Sequence, residues 1–332
     1  MEPQSPTMLV VCGKSAAENE LARCLKNNNT LKLPDDSPVT VALQSEIENQ
    51  ENENVGSDDV FRINLYMDLL STSLFGKLLI FSPKLASTHD VVSSSKAEME
   101  DGRIVPLVQY VVSLAMTEAI NDVCRRNVPY AYYTFGQLAG WNVRSKDGDK
   151  VAFAFFSGMP SLDVRIKWPN DLYLDGLKVG GILCTSTYKS KKFNVSAGIG
   201  LNVNNQKPTI CLNAVLQRLG CVARQVQREE IIAAFFNKFE CFYDIFITQG
   251  FQALEELYYK TWLHSGQRVI LQEKNEDQDQ ISEHVVTIKG LTTSGYLLAA
   301  TEDGQTCELH PDGNRLCDLY LDWVEAPQAA IT

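Results

Sequence analysis

The sequence predicts an α+β chain that ends in a small all-β module. Three observations carry this reading: a β-meander over residues 164–204, helical segments before and after it, and a run of short alternating strands from Arg268 onward. Within the meander, Arg165–Lys167 and Leu172–Leu174 read as short strands on either side of Pro169, which cannot donate to a ladder and marks a break. Asp175-Gly176 is a two-residue hairpin signal, because a type I′ turn needs positive φ at both central positions. Val179–Tyr188 and Phe193–Val203 follow as longer strands joined by the basic turn Lys189–Lys192. Two features are unusual for plain sheet. Lys167 sits in an apolar strand, and glycine recurs at Gly180, Gly181, Gly198 and Gly200, where it marks close approach of a ligand or another backbone.

Taken in order, Met8–Cys12 reads as a strand that enters Gly13-Lys14-Ser15 and then a helix to about Leu25. The Gly-Lys-Ser run resembles the end of a phosphate loop. A Walker motif would also need glycine at position 8, where Met8 stands, so a strand–turn–helix of other purpose is expected. Residues 45–59 are acidic and Asn-rich, as in a solvated loop or linker. Order resumes at Val60–Leu70, and Lys77–Phe81 reads as a strand. Val105–Arg126 reads as a helix with Pro106 in its first turn. Gln109, Ser113, Thr117 and Asn121 recur along it at helical spacing, which predicts a polar face and an amphipathic helix, not a membrane span. Residues 128–160 are rich in aromatics and carry a possible hairpin around Lys146–Lys150. Pro208–Leu219, Glu229–Ile247 and Phe251–Leu263 read as helices, the last with Phe251, Leu254, Leu257 and Tyr258 on its apolar face. Arg268–Glu273, Val285–Leu291, Tyr296–Thr301 and Thr306–His310 are spaced like the strands of a five-stranded or similar SH3-type barrel. The expected units are residues 1–59, 60–264 with 128–160 as an insertion, 265–313, and a tail at 314–332.

Bulk composition narrows the function. A net charge of −11 over 332 residues argues against general binding to nucleic acid or anionic membrane. Nine scattered cysteines without a C-x-x-C pair fit reduced thiols of an intracellular protein. The opening Met-Glu-Pro-Gln-Ser-Pro is neither a signal nor a transit peptide, so the cytoplasm is the expected compartment, with an organellar form from another start left open. His89, His264, His284 and His310 show no ligand spacing, so no metal site is expected, and no G-x-S-x-G nucleophile is present.

Lys167 is the first candidate for chemistry. It either snorkels from an edge strand or neutralises a carboxylate or phosphate and stabilises charge developing in a transition state. Rigid Trp168-Pro169, the polar bend Asn170-Asp171 and the unobstructed backbone of Gly180-Gly181 favour the second reading. Asp171 is expected to orient Lys167 or help a metal, and Asn202 to read a base or ribose edge. Ser87-Thr88-His89-Asp90 leaves a strand either as a helix N-cap or as a polar patch for a small ligand.

These same residues carry a family resemblance. Ser87-Thr88-His89-Asp90, Lys167-Trp168-Pro169-Asn170-Asp171-Leu172, Gly180-Gly181-Ile182-Leu183 and Gly198-Ile199-Gly200-Leu201-Asn202 resemble the biotin–protein ligases, in particular the plant-type holocarboxylase synthetases. The likeness covers roughly residues 61–313, with interruptions. It implies a mixed, mostly antiparallel sheet with helices, as in class II aminoacyl-tRNA synthetases and lipoate ligases, followed by an SH3-like cap. The activity it implies is formation of biotinyl-5′-AMP from biotin and ATP–Mg²⁺, then transfer of biotin to a lysine of a carboxylase's biotin carboxyl-carrier domain. By match, Lys167 would meet the biotin carboxylate and the phosphate. Ser87, Thr88 and His89 would line the biotin pocket, and Asn170, Asp171, Gly180, Gly181 and Asn202 would shape the adenylate site.

Three departures accompany the likeness. The family's Gly/Arg-rich loop between the Ser-Thr motif and the long helix, with its flanking strands, has no counterpart between Ser93 and Gly102. Residues 128–160 look inserted, and the tail from about Arg315 leaves the pattern. An impaired ligase is therefore expected. A non-catalytic module that keeps the carrier-docking surface, or a lipoate or other acyl-adenylating ligase, are the alternatives.

Overall fold

The computed structural model describes residues 7–28, 31, 38–48, 61–82, 97–99, 101–126, 139–144, 150–155, 162–205, 210–219, 224–274 and 281–311, with the backbone alone at 48, 97–98, 139–144, 150–155, 272–274 and 281–282. The expected sites at Ser87–Asp90, the junction at Ser93–Lys96, most of the 128–160 insertion and the tail lie outside these residues.

Strand β1 (Thr7–Gly13) is apolar, and its Leu9 and Val11 pack with Ala22 of helix α1 (Ala16–Asn27). It pairs in parallel with β2 (Val39–Leu43). Part of the expected linker is ordered as the short helix α2 (Gln44–Glu48), while 49–59 fall outside the described residues. Helix α3 (Ile63–Leu69) leads to β3 (Leu78–Phe81), which pairs antiparallel with β1. The first unit thus draws a strand from beyond residue 59. The Gly-Lys-Ser turn joins the pieces: Ser15 and Glu18 form a capping box at the start of α1. Lys14 Nζ donates to the carbonyls of Met67 (2.9 Å) and Leu70, which end α3. A lysine so engaged caps the end of a helix.

Ala97–Met99 forms β4, a strand that the sequence reading did not contain. After a 3₁₀ turn at Val105–Leu107 with Pro106 inside it, helix α4 runs over Val108–Arg126. Its polar stripe corrects the expectation of a solvated face: Ser113 and Thr117 have no exposed surface. Each hydroxyl donates to the carbonyl four residues back, Ser113 to Gln109 (2.8 Å) and Thr117 to Ser113 (2.9 Å), while Oδ1 of Asn121 at the end of the stripe is buried without a hydrogen-bond partner among the described residues. The physical reason is enclosure, since α4 is held between strands on one side and a long helix on the other. No described helix is long and apolar enough to cross a membrane.

β5 (Ala139–Arg144) and β6 (Lys150–Phe155) pair as the hairpin expected around Lys146–Lys150. The meander then follows as β7 (Arg165–Lys167), β8 (Asp171–Leu174), β9 (Leu177–Lys189) and β10 (Lys192–Leu201). With β4 it makes a five-stranded antiparallel sheet in the order β4-β10-β9-β8-β7. The Asp175-Gly176 turn has the expected positive φ of 51° and 72°, and the basic turn has positive φ as well, 54° and 64° at Ser190-Lys191. β4 covers only Phe193–Val195 of β10, so among the described residues Ser196–Leu201 have no partner strand on that side.

Helix α5 (Leu212–Arg218) is shorter than expected, whereas α6 (Arg228–Gln249) and α7 (Gln252–Thr261) match their predicted positions. α4 lies between α6 and β9. One continuous apolar core joins α4, the sheet, α6, α7 and the C-terminal strands. Those strands, β11 (Arg268–Lys274), β12 (Ile281–Leu291), β13 (Leu297–Thr301) and β14 (Thr306–Leu309), form an antiparallel meander in sequence order. The described residues therefore hold four strands of the expected small barrel.

Candidate functional site

Register sets out the site. Lys167 on β7 lies opposite Asp171 on β8, Asp171 opposite Gly181 on β9, and Gly181 opposite Gly200 on β10. Cross-strand partners share a face, so these four residues form one row across the sheet. The adjacent row, Ile166–Leu172–Gly180–Leu201, faces the other way, and its Ile166 and Leu172 have no exposed surface. The alternation explains how a lysine comes to stand in an apolar strand: its neighbours are core and it is not.

The two neighbouring glycines have different reasons. A Cβ at Gly180 would stand 2.6 Å from the Gly200 carbonyl oxygen, so this glycine serves the close approach of β10. At Gly181 a Cβ would meet Asp171 Oδ1 at 3.3 Å, and no backbone atom lies among its three nearest neighbours. Gly181 and Gly200 leave the floor beside Asp171 low, with Leu183 and Gly198 continuing the same face.

Lys167 Nζ stands 5.4 Å from the centre of the Tyr173 ring, a cation–π arrangement on the shared face. Asp171 does not orient it. Asp171 Oδ1 pairs with Lys178 Nζ at 2.6 Å, because the bulge between Leu172 and Tyr173 brings Lys178 over that carboxylate. Among the described residues Lys167 has no carboxylate partner, so its charge is available to an anion. Asn170 is a backbone element here: its carbonyl accepts the Ile182 amide at 2.8 Å and closes the bend onto β9. Asn202 ends β10, its amide donating to Val179 and its carbonyl accepting from Leu212. No group of three or more His, Cys, Asp or Glu side chains among the described residues could hold a metal ion.

The bend between Lys167 and Asn170 is held by Gln109, Tyr110, Trp168 and His264. The Trp168–Pro169 peptide is cis. Gln109 of α4 donates to the Pro169 carbonyl (3.0 Å) and accepts from the Cys184 amide (3.4 Å), tying the bend to β9. Trp168 Nε1 donates to Tyr110 Oη (2.9 Å), whose hydroxyl donates to the Gly295 carbonyl in the C-terminal sheet. The Trp168 amide donates to Nε2 of buried His264 (2.9 Å). Burial pushes the His264 imidazole below its ordinary value, with Lys167 adding to the effect and Gln267 opposing it. Gln109 was legible only as part of the helical stripe. His264 gave no signal, because its partner is a backbone amide 96 residues away. A pocket of about 210 Å³ opens between Lys167–Pro169 and Ile288 and Leu297 of the C-terminal sheet.

This geometry places a lysine with no carboxylate partner among the described residues in one row with a glycine floor, on a sheet capped by a second β module. Residues 76–202, which contain the whole row, match the model of the biotin/lipoate A/B protein ligase family. The chain is 48% identical over 351 aligned positions to biotin–protein ligase 1, chloroplastic, of Arabidopsis thaliana, covering 95% of this chain and 86% of that one. It is 49% identical to biotin–protein ligase 2 of the same plant, covering 95% and 96%. The chain belongs to the biotin–protein ligase family, and its class is that of a ligase. A solved biotin protein ligase from Aquifex aeolicus overlaps 64% of this chain and 76% of its own, at 18% identity and a TM-score of 0.41. Both plant alignments span more positions than the 332 residues of this chain, so the relatives carry residues within the matched span that this chain lacks.

Proposed function

We propose that the chain joins biotin to ATP, supplied as its Mg²⁺ complex, and passes the biotinyl group to the lysine of a biotin carboxyl-carrier domain. In the first step a biotin carboxylate oxygen attacks the α-phosphorus, a P–O bond to pyrophosphate breaks, and biotinyl-5′-AMP forms. In the second the carrier's amine attacks the acyl carbon and AMP leaves. The single observation that supports this reading most is the row Lys167–Asp171–Gly181–Gly200. A lysine without a carboxylate partner among the described residues brings a positive charge to the point where two anions must meet. Preorganised charges of this kind are worth on the order of 10²–10³ in rate. Asp171 with Lys178, the backbone at Asn170 and the close of β10 at Asn202 shape the nucleotide side of the floor. Ser87, Thr88 and His89 line the biotin ureido pocket in the same reading.

The proposal includes impairment. The Gly/Arg-rich loop that should close over biotin and face Lys167 is missing from the sequence, and the longer span of the plant relatives supports that absence. The reaction is tested by biotin-dependent exchange of labelled pyrophosphate into ATP. Slow exchange with biotin and none with lipoate is expected, and exchange driven by lipoate alone would replace this reading with that of a lipoate ligase.

A further inference from the structure

We propose that His264, with its tautomer set by Gln267, is a positioning residue for Lys167. The observation is geometric. Trp168 follows Lys167 directly, and its backbone N–H has one hydrogen-bond acceptor, His264 Nε2 at 2.9 Å. An acceptor nitrogen must be unprotonated, so the imidazole carries its proton on Nδ1, where Gln267 Oε1 lies 2.7 Å away to receive it. The ring is 2% exposed and stands edge-on to Trp262, 5.4 Å between centres, which fixes its plane. The chain beside it is anchored to the same strand as Lys167: the Leu263 amide donates to the Ile166 carbonyl at 2.9 Å. The backbone groups on either side of Lys167, the Ile166 carbonyl and the Trp168 amide, are therefore held by residues 263–264, in the segment that joins α7 to the C-terminal sheet.

Other features of the molecule are absorbed by packing. Lys14 caps α3, and Glu240 receives three loop amides. The pocket beside Trp168 belongs to the same site. His264 differs because it is a buried titratable group bonded to the residue that follows the proposed anion anchor, and packing alone does not require an imidazole there.

The inference rests on Lys167 being the anion anchor, and its test reads the histidine and the lysine without turnover. Nitrogen-15 spectra of the full chain are expected to show a neutral His264 protonated at Nδ1 across pH 6–8. A second measurement follows Lys167 by competitive acetylation and mass spectrometry, normalised to Lys189 and Lys192 in the same digest. His264→Leu removes the acceptor, and loss of one such hydrogen bond predicts a change of about two- to tenfold in Lys167 labelling with the other two lysines unmoved. His264→Gln keeps an acceptor within reach of the Trp168 amide and restores the parent value. A His264 protonated at Nε2, or unchanged Lys167 labelling in a folded His264→Leu chain, overturns the proposal. A failed pyrophosphate exchange would count against the ligase reading and leave these two results standing.

Discussion

Cys184 shows how position within the sheet sets the chemistry of a single residue. It lies on the core side of β9 beneath Gln109, and burial pushes its thiol up to about 12, as it does for Cys124 in α4. Cys24 and Cys241 are exposed. The thiolate is the reactive form, so iodoacetamide at pH 8 is expected to alkylate Cys24 and Cys241 and spare Cys124 and Cys184 in the folded chain. Peptide mapping that finds all four equally modified would refute the burial. The sign for stability follows from the same shift. The folded state holds these protons more tightly than the unfolded chain does, so their contribution is intact below the ordinary thiol value of 9.0 and is lost as pH rises from there toward 12. At this scale the sequence was partly legible. Lys167 stood out because a charge interrupts an apolar strand, but its relation to Asp171 did not, since the competing partner Lys178 is delivered by a bulge that no local pattern announces.

Elements were more legible than contacts. The hairpin at Asp175-Gly176 was readable because positive φ restricts residue choice, whereas the turn at Ser190-Lys191 was placed only by the strands on either side and its positive φ is announced by neither residue. The polar stripe of α4 misled because helical periodicity reports which residues share a face and does not say what covers it. The paired glycines give a prediction at this scale. Gly180→Ala drives a methyl group against the Gly200 carbonyl and is expected to cost about 1–3 kcal/mol, as overpacking does. Gly181→Ala meets the carboxylate of Asp171 and Lys178, which have room to shift, and is expected to stay within about 1 kcal/mol of the parent. Urea denaturation of the two variants checks this, and equal midpoints would contradict the different reasons assigned to the two glycines. In the first unit, Glu18 is held down to about 2 by hydrogen bonds from Lys77 and Ser15. A depressed carboxyl stabilises above its unfolded value, so the join between α1 and β3 is expected to loosen as pH falls from about 4.5 toward 2. Hydrogen exchange at β1 amides reads that loosening, and protection unchanged over that range would remove Glu18 from the account.

At the scale of the whole molecule, an adenylation site needs a floor and a cover. The floor is present: a five-stranded sheet carries Lys167 and its glycines on one face, and the C-terminal sheet is fastened to the same bend through Tyr110 and Gly295. The cover, as the sequence resemblance defines it, is the missing loop. Family membership was legible in a few short motifs because each one combines residues that ordinary sheet avoids. The proposed deletion rests on the sequence, in which Ser93 reaches Gly102 with too few residues between them to supply the loop. Among the described residues the outer side of β10 over Ser196–Leu201 has no partner strand, and unpaired edges favour association. The decisive measurement is biotin transfer itself. Purified chain, with and without the family's Gly/Arg-rich loop and its strands inserted ahead of Ala97, is incubated with ATP, biotin and a carrier domain, then blotted with streptavidin. An intact floor without its cover predicts labelling that is weak or undetectable in the chain as it stands and robust once the loop is restored. Robust labelling by the unmodified chain would contradict the account.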